Sequence, residues 1–248
     1  MAIIIKNKAQ IAKMHHSSQI VKEAFDMLAK IIVPGVTTRE LDEAVVKFLR
    51  KKGAIPSFKN YRGFPKNCCI SVNEEVIHGI PGIKRLVSGD IVSIDIGAFK
   101  DGFHGDAART FACGEISNEA QRLINVTRQS FYEGIKYAKV GCFLNDISGA
   151  IQDYVEAHGF SIVTEYIGHG VGADLHENPE IPNYRQKKRG PKLACGMALA
   201  IEPMVNAGKA EVETLSDGWT VVTVDRSLSC HYENTIVITD EEPQILTI

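Results

Sequence analysis

The sequence predicts an α+β fold made of two copies of one helix-plus-antiparallel-sheet unit related by a pseudo-twofold. Three observations carry this reading: amphipathic helical spacing precedes β-branched strand runs, the same order recurs in the second half, and each copy ends a strand run in a carboxylate. The first helix is marked by Ile20, Val21, Ala24, Phe25, Leu28, Ile31 and Ile32 at helical spacing, and Pro34-Gly35 stops it. A second helix follows, opened by the capping box Thr37-Thr38-Arg39-Glu40, striped by Leu41, Val45, Phe48 and Leu49, and closed by Gly53. From Cys69 the pattern changes to short runs such as Ile91-Val92-Ser93-Ile94-Asp95-Ile96, punctuated by glycine, which read as strand and hairpin.

The repeat can be checked by position. Gly35 and Gly53 match Gly141 and Gly159 at an offset of 106 residues (141 − 35 and 159 − 53). The runs Gly89 to Asp95 and Gly196 to Glu202 share the pattern glycine, five residues, acid, at an offset of 107 (196 − 89). Two amphipathic units can agree in glycines by chance; agreement in the acids as well favours duplication. The expected organisation is one domain over 1–248 with halves at 10–113 and 117–240, and with its site between them. The first helices begin within about ten residues, which leaves no room for an N-terminal extension domain.

Composition narrows the function class. The 248 residues carry 28 Lys+Arg against 30 Asp+Glu, a net charge of −2, with 44% hydrophobic and 23% charged residues, which excludes disordered, collagenous and coiled-coil chains. So balanced a charge offers no general attraction to nucleic acid or anionic lipid, and the basic run Gln186-Lys187-Lys188-Arg189 reads as a solvated turn. The apolar run Ile3-Ile4-Ile5 is too short for a signal peptide, and no stretch approaches a membrane span. The six cysteines contain no CxxC pair, so neither a zinc ribbon nor a disulfide framework is expected. A reduced, cytoplasmic, monomeric protein without nucleic-acid specificity or a membrane partner is the resulting expectation.

The chemistry-bearing residues begin with Asp95 and Asp106. A turn at Lys100-Asp101-Gly102 sets position 106 opposite position 97, on the face that also carries 95, so both carboxylates share one side of a hairpin. Alone, this pair reads more simply as two unrelated surface aspartates. Next, Gly168-His169-Gly170-Val171-Gly172-Ala173-Asp174-Leu175-His176 places two histidines seven apart in a glycine-rich stretch, read as flexible and accessible. Glu202 and Glu233 stand at the edges of apolar strand runs, where an unpaired carboxylate is expensive to desolvate. Four carboxylates and one histidine form an oxygen and nitrogen donor set without thiolate, suited to two divalent ions of Mn, Fe, Co or Zn whose charge balances the acids. Two such ions ~3.5–4 Å apart can share a bridging hydroxide, so the expected reaction is hydrolysis.

These residues fall within motifs that resemble the type I methionine aminopeptidases of the pita-bread fold, in metallopeptidase family M24, over essentially the whole chain. The motifs are Asn73-Glu74-Glu75-Val76-Ile77-His78-Gly79-Ile80-Pro81, Asp95-Ile96-Gly97, Gly105-Asp106-Ala107-Ala108-Arg109-Thr110, Gly168-His169-Gly170-Val171-Gly172, Leu175-His176-Glu177, Ile201-Glu202-Pro203, and Asp217-Gly218-Trp219-Thr220 leading to Tyr232-Glu233-Asn234-Thr235. The resemblance implies metal ligands Asp95, Asp106, His169, Glu202 and Glu233, the same five that donor chemistry selects. It further implies that His78 bonds the scissile amide, His176 stabilises the developing oxyanion and Glu202 shuttles the proton. It assigns Tyr61, Phe64, Cys69 and Trp219 to a methionine pocket, and a monovalent cation to backbone oxygens near Asn73 and Ser229. The implied substrates are nascent polypeptide N-termini whose second residue is small, with transient ribosome association; Met1-Ala2 of this chain meets the same rule. Phe64 stands where some relatives carry Tyr, and Leu175 where some carry Phe, changes that bear on pocket fit rather than reaction class. Two rivals share the fold: a Pro-specific aminopeptidase or prolidase, which carries an extra N-terminal domain, and a non-catalytic peptide-binding module, which requires a lost ligand where none is replaced here.

Overall fold

Helix α1 (Lys8–Leu28) starts at a reciprocal cap that the sequence reading passed over: Gln10 N–H donates to Asn7 Oδ1 at 3.0 Å and Asn7 N–H to Gln10 Oε1 at 2.9 Å. Helix α2 (Thr38–Lys51) starts at the box that was expected, with Thr37 N–H donating to Glu40 Oε2 at 2.7 Å and Glu40 N–H to Thr37 Oγ1 at 3.2 Å. The structure, a computed structural model, describes residues 2–248. Strands β1 (Ile55–Pro56), β2 (Cys69–Val72), β3 (Glu75–Ile77), β4 (Ile91–Lys100) and β5 (Phe103–Ala112) complete the first half. The second half holds α3 (Asn118–Ile135), α4 (Leu144–Ala157), β6 (Ser161–Ile162), β7 (Gly168–Gly170), β8 (Glu177–Ile181), β9 (Ala198–Ile201), β10 (Met204–Asn206), β11 (Val212–Thr214), β12 (Val221–Thr223), β13 (Ser229–His231), β14 (Asn234–Val237) and β15 (Gln244–Ile245). No helix of the described residues is long and apolar enough to cross a membrane.

The architecture is α+β, with one helix-backed antiparallel sheet in each half. In the first, β4 pairs β5 along one edge and shares its other edge between β2 and β1; in the second the order is β15-β14-β9-β7-β8. Two three-stranded sheets complete the architecture, β13-β10-β6 within the second half and β11-β12-β3, which joins β3 of the first half to strands of the second. Each main sheet buries its helix-facing side in its own core: Val21, Leu28, Leu41 and Val45 on Val92 and Ile94, and Leu123, Phe131, Ile147 and Ile151 on Leu199 and Ile201. The offsets reappear as geometry. Strand β4 begins at Ile91 and β9 at Ala198, and the bracketing glycines share left-handed backbone, with φ of 100° and 94° at Gly35 and Gly141 and of 67° and 75° at Gly53 and Gly159.

The β4–β5 hairpin turns on Asp101 (φ 53°) and Gly102 (φ 85°), both left-handed, as a two-residue turn matched to strand twist requires. Its register pairs Gly97 with Asp106 and Asp95 with Ala108, as the alternation argument predicts. Strand β5 then continues across the molecule. Glu233 N–H donates to Ala108 O at 3.0 Å, and the Thr235 hydroxyl donates to Asp106 O at 2.8 Å. The seam between halves therefore runs through the segments that carry two of the candidate ligands.

Candidate active site

Three candidate donors stand in strands and two stand directly beside them, all aimed by these pairings. Asp95 lies opposite Cys69 across β4 and β2, Asp106 lies on β5, Glu202 follows the last residue of β9, and Glu233 precedes the first residue of β14. His169 is in β7, paired with Ala200. This corrects the reading of its segment as flexible: a Cβ on Gly168 would run into Ala200 O, and one on Gly170 into Asn178 O. The glycines permit close strand packing, and His169 is held rather than free.

The structure brings the five donors together. One ligand atom each from Asp106, His169 and Glu233 lies within 4.8 Å of the others. His169 Nε2 is 3.8 Å from Asp106 Oδ2 and 3.7 Å from Glu202 Oε1, and Asp95 is close enough to Asp106 to exchange a side-chain hydrogen bond. Burial, reinforced by the charge of Asp106, pushes Asp95, Glu202 and Glu233 well above the usual carboxylate range, and burial lifts Asp106 to about 7. Asp95 Oδ1, Asp106 Oδ1 and Glu233 Oε1 are buried without a hydrogen-bond partner among the described residues. Buried acceptors that crowd and repel one another fit cations, which satisfy the lone pairs and restore the carboxylate form. His169 fits the same role: Nδ1–H donates to Gly170 O at 2.9 Å, which leaves the Nε2 lone pair facing the acids.

Beside the donors lies a cavity of about 300 Å³. Its wall includes all eleven expected donor, catalytic and pocket residues: Tyr61, Phe64, Cys69, His78, Asp95, Asp106, His169, His176, Glu202, Trp219 and Glu233. Phe58, Phe64, Cys69 and Leu175 form a buried apolar cluster of their own, joined by Tyr61, Ile80 and Trp219. Phe64 meets Trp219 edge to face at 5.2 Å. The Asp-Gly-Trp-Thr motif explains how the tryptophan is held: Asp217 accepts from Trp219 N–H at 2.8 Å, Thr220 N–H at 2.8 Å and the Thr220 hydroxyl at 2.6 Å. His78 stands edge-on to Tyr166 at 5.7 Å and Trp219 at 6.2 Å, and burial lowers it to about 4. His176, lowered by burial to about 3, stacks on Tyr61 and bonds its hydroxyl through Nδ1 at 2.9 Å.

Asn73 and Ser229 meet elsewhere. Ser229 N–H donates to Asn73 O at 2.8 Å, away from the cavity wall, with Asn73 at a left-handed φ of 60°. The sequence reading missed Phe58, Arg62, Ile77, Glu165, Tyr166 and Ile167 on the wall, and His231, whose Nε2 is 3.6 Å from Glu202 Oε2. Ile77 lies inside the Asn73-to-Pro81 motif and the Tyr166-Ile167 pair adjoins Gly168, so these were findable; Phe58 and Glu165 carry no such signal.

Oxygen and nitrogen donors from both half-sheets, converging beside a cavity, define a metal-dependent hydrolase. Residues 12–240 match metallopeptidase family M24. The chain is 55% identical over 247 residues to a methionine aminopeptidase of Clostridium acetobutylicum, covering 99% of each, and 45% identical over 250 residues to one of Escherichia coli K12, covering 100% of this chain and 95% of that one. The crystal structure of methionine aminopeptidase from Thermotoga maritima superposes with a TM-score of 0.97 at 44% identity, covering 99% of each chain. The chain belongs to metallopeptidase family M24, and its architecture is that family's pita-bread fold.

Proposed function

We propose that this aminopeptidase removes the N-terminal methionine of nascent polypeptides when the second residue is small, with Asp95, Asp106, His169, Glu202 and Glu233 holding two divalent ions. The observation that carries the reading is the apolar slot of Phe64, Cys69, Leu175 and Trp219 set directly against the donors. An unbranched, polarizable thioether fits such a slot through dispersion and sulfur–aromatic contacts. The full-length likeness to proteins named methionine aminopeptidase supports it further. When bound, ions such as Mn, Fe, Co or Zn supply Lewis acidity and a nucleophile at neutral pH.

The chain's own residues then divide the work. Glu202, at the cavity wall, takes the proton released at attack and returns it to the leaving amine. His78, neutral in its aromatic corner, donates to the scissile amide. In this reading the Tyr61 hydroxyl, 2.9 Å from Nδ1 of His176, donates to it and leaves the proton on Nε2 to serve the developing oxyanion. The buried apolar slot takes the side chain of the first residue. The two halves at 10–113 and 117–240 act as one catalytic domain, a monovalent cation binds the backbone near Asn73 and Ser229, and the enzyme works as a cytoplasmic monomer with transient ribosome contact.

Methionine release from Met-Ala-Ser peptide by metal-stripped protein, with each ion added back, tests the reading. Metal-dependent release from the free peptide, and none from its N-acetylated form, is the expected result. Cleavage of a Met-Pro dipeptide alone transfers the protein to the prolidase branch, and no cleavage with any ion overturns catalysis.

A further inference from the structure

The candidate mechanism leaves one buried imidazole without a task. His231 ends β13, is 2% exposed, and its Nε2 has no hydrogen-bond partner among the described residues. A buried polar atom left alone is destabilising, so the position calls for a partner. One acceptor stands near it, Glu202 Oε2 at 3.6 Å. The other oxygen of that carboxylate, Oε1, faces His169 Nε2 at 3.7 Å. Glu202 is thus flanked by two imidazoles, and their surroundings differ. His169 faces the acids of both Glu202 and Asp106 with a nitrogen whose lone pair is freed by the bond from Nδ1 to Gly170 O. His231 Nε2 faces Glu202 alone.

The main chain of His231 cannot carry the ring away. Its N–H donates to Ser93 Oγ at 3.3 Å and Thr110 Oγ1 at 3.2 Å, and its carbonyl accepts from the Thr110 hydroxyl at 2.9 Å. Ser93 and Thr110 bond each other at 2.8 Å across β4 and β5, so the imidazole is mounted on the same hairpin that presents Asp95 and Asp106.

We propose that His231 is the positioning residue of Glu202, its Nε2–H donating to Oε2 and holding the carboxylate in the rotamer that turns Oε1 toward the metal-binding donors. This rests on the reading of Glu202 as ligand and proton carrier. A move of roughly 0.6 Å brings the pair to ordinary hydrogen-bond length, and such bonds tighten when a site is loaded.

Protein labelled with ¹⁵N-histidine reports the ring directly, with the His231 resonances assigned by their loss in His231→Gln. The expected signature is the Nε2–H tautomer, shifted by zinc addition and by Glu202→Gln. An Nδ1–H tautomer in both metal-stripped and zinc-loaded protein overturns the proposal. In turnover of Met-Ala-Ser, His231→Leu is expected to lower kcat by about 10–100-fold with little change in KM, and to weaken zinc binding in calorimetry, whereas His231→Gln, which keeps an N–H donor, retains most of both. If the leucine variant fails to fold, the tautomer in the wild-type protein and the glutamine variant still decide. Full activity in Glu202→Gln overturns the site reading and this proposal together. An inactive Glu202→Gln beside a His231→Leu with wild-type kcat and zinc affinity overturns the positioning role alone.

Discussion

Burial lifts the Asp106 carboxyl from an ordinary 3.8 to about 7, and this has a sign that can be measured. The folded protein binds that proton more tightly than the unfolded chain, so the stabilisation is complete below the unfolded value and is lost as pH rises through the folded one. In metal-stripped protein the Tm of the wild type relative to Asp106→Asn is expected to fall between about pH 4 and 7, a trend reversed by divalent metal, which favours the carboxylates; the comparison cancels the buried histidines, whose lowered values act in the opposite direction. A wild-type Tm that does not fall relative to Asp106→Asn across this window counts against the crowded acids. His78→Ala removes a neutral donor from the cavity wall, and kcat is expected to fall on the order of 100–1000-fold while Tm stays near the wild-type value. Of the residues the fold brings together, Glu202 and Glu233 stood out as acids at the edges of apolar runs, Asp95 and Asp106 as a pair on one hairpin face, and His169 as a histidine among glycines. His231 did not: a histidine between Cys230 and Tyr232 looks like packing until the fold turns its ring toward Glu202.

Strand β7 shows where reading by local pattern stops. Three residues, Gly168-His169-Gly170, have neither β-branching nor alternation, yet they pair with both β8 and β9. Glycine here answers to backbone proximity, a tertiary fact with no local signature. Gly168→Ala and Gly170→Ala are each expected to destabilise by about 1–3 kcal/mol in urea unfolding, since the added methyl meets backbone carbonyls of Ala200 and Asn178 that cannot rotate aside. Metal affinity is expected to fall with stability, because β7 aims His169; unchanged affinity in a destabilised variant would separate the strand's packing from its part in the site. The β4–β5 hairpin is the opposite case. A period of two and a turn at Asp101-Gly102 are sufficient to place Asp106 opposite Gly97, so this element, with both its acids, was readable from one stretch of chain. The cavity wall was less so, since Phe58 and Glu165 arrive from separate loops by packing alone.

Across the whole molecule, the two halves are tied where their acids meet, and Arg109 is the fastening. Its guanidinium donates to Ala108 O at 2.8 Å, to Glu233 O, to Asn234 Oδ1 at 2.6 Å and to Thr247 O at 3.2 Å, while its face lies 4.5 Å from the Tyr232 ring and 5.3 Å from Phe25 of α1. One side chain thus joins β5, the segment of Glu233, the C-terminal strand region and the first helix. Lysine keeps the charge but not the planar fork, so it cannot reach both the carbonyls and Asn234 at once. Arg109→Leu is expected to lower stability by about 3 kcal/mol and Arg109→Lys by less, read from urea midpoints. The transition should stay single, because the backbone pair Ala108–Glu233 and the Thr235 and Thr110 hydroxyls bonded to Asp106 O and His231 O remain to couple the halves. Metal affinity should fall in both variants, since the carbonyl that Arg109 anchors belongs to Glu233 itself. Two separate unfolding transitions in Arg109→Leu would mean that this one guanidinium, rather than the strand seam, is what makes the halves fold together.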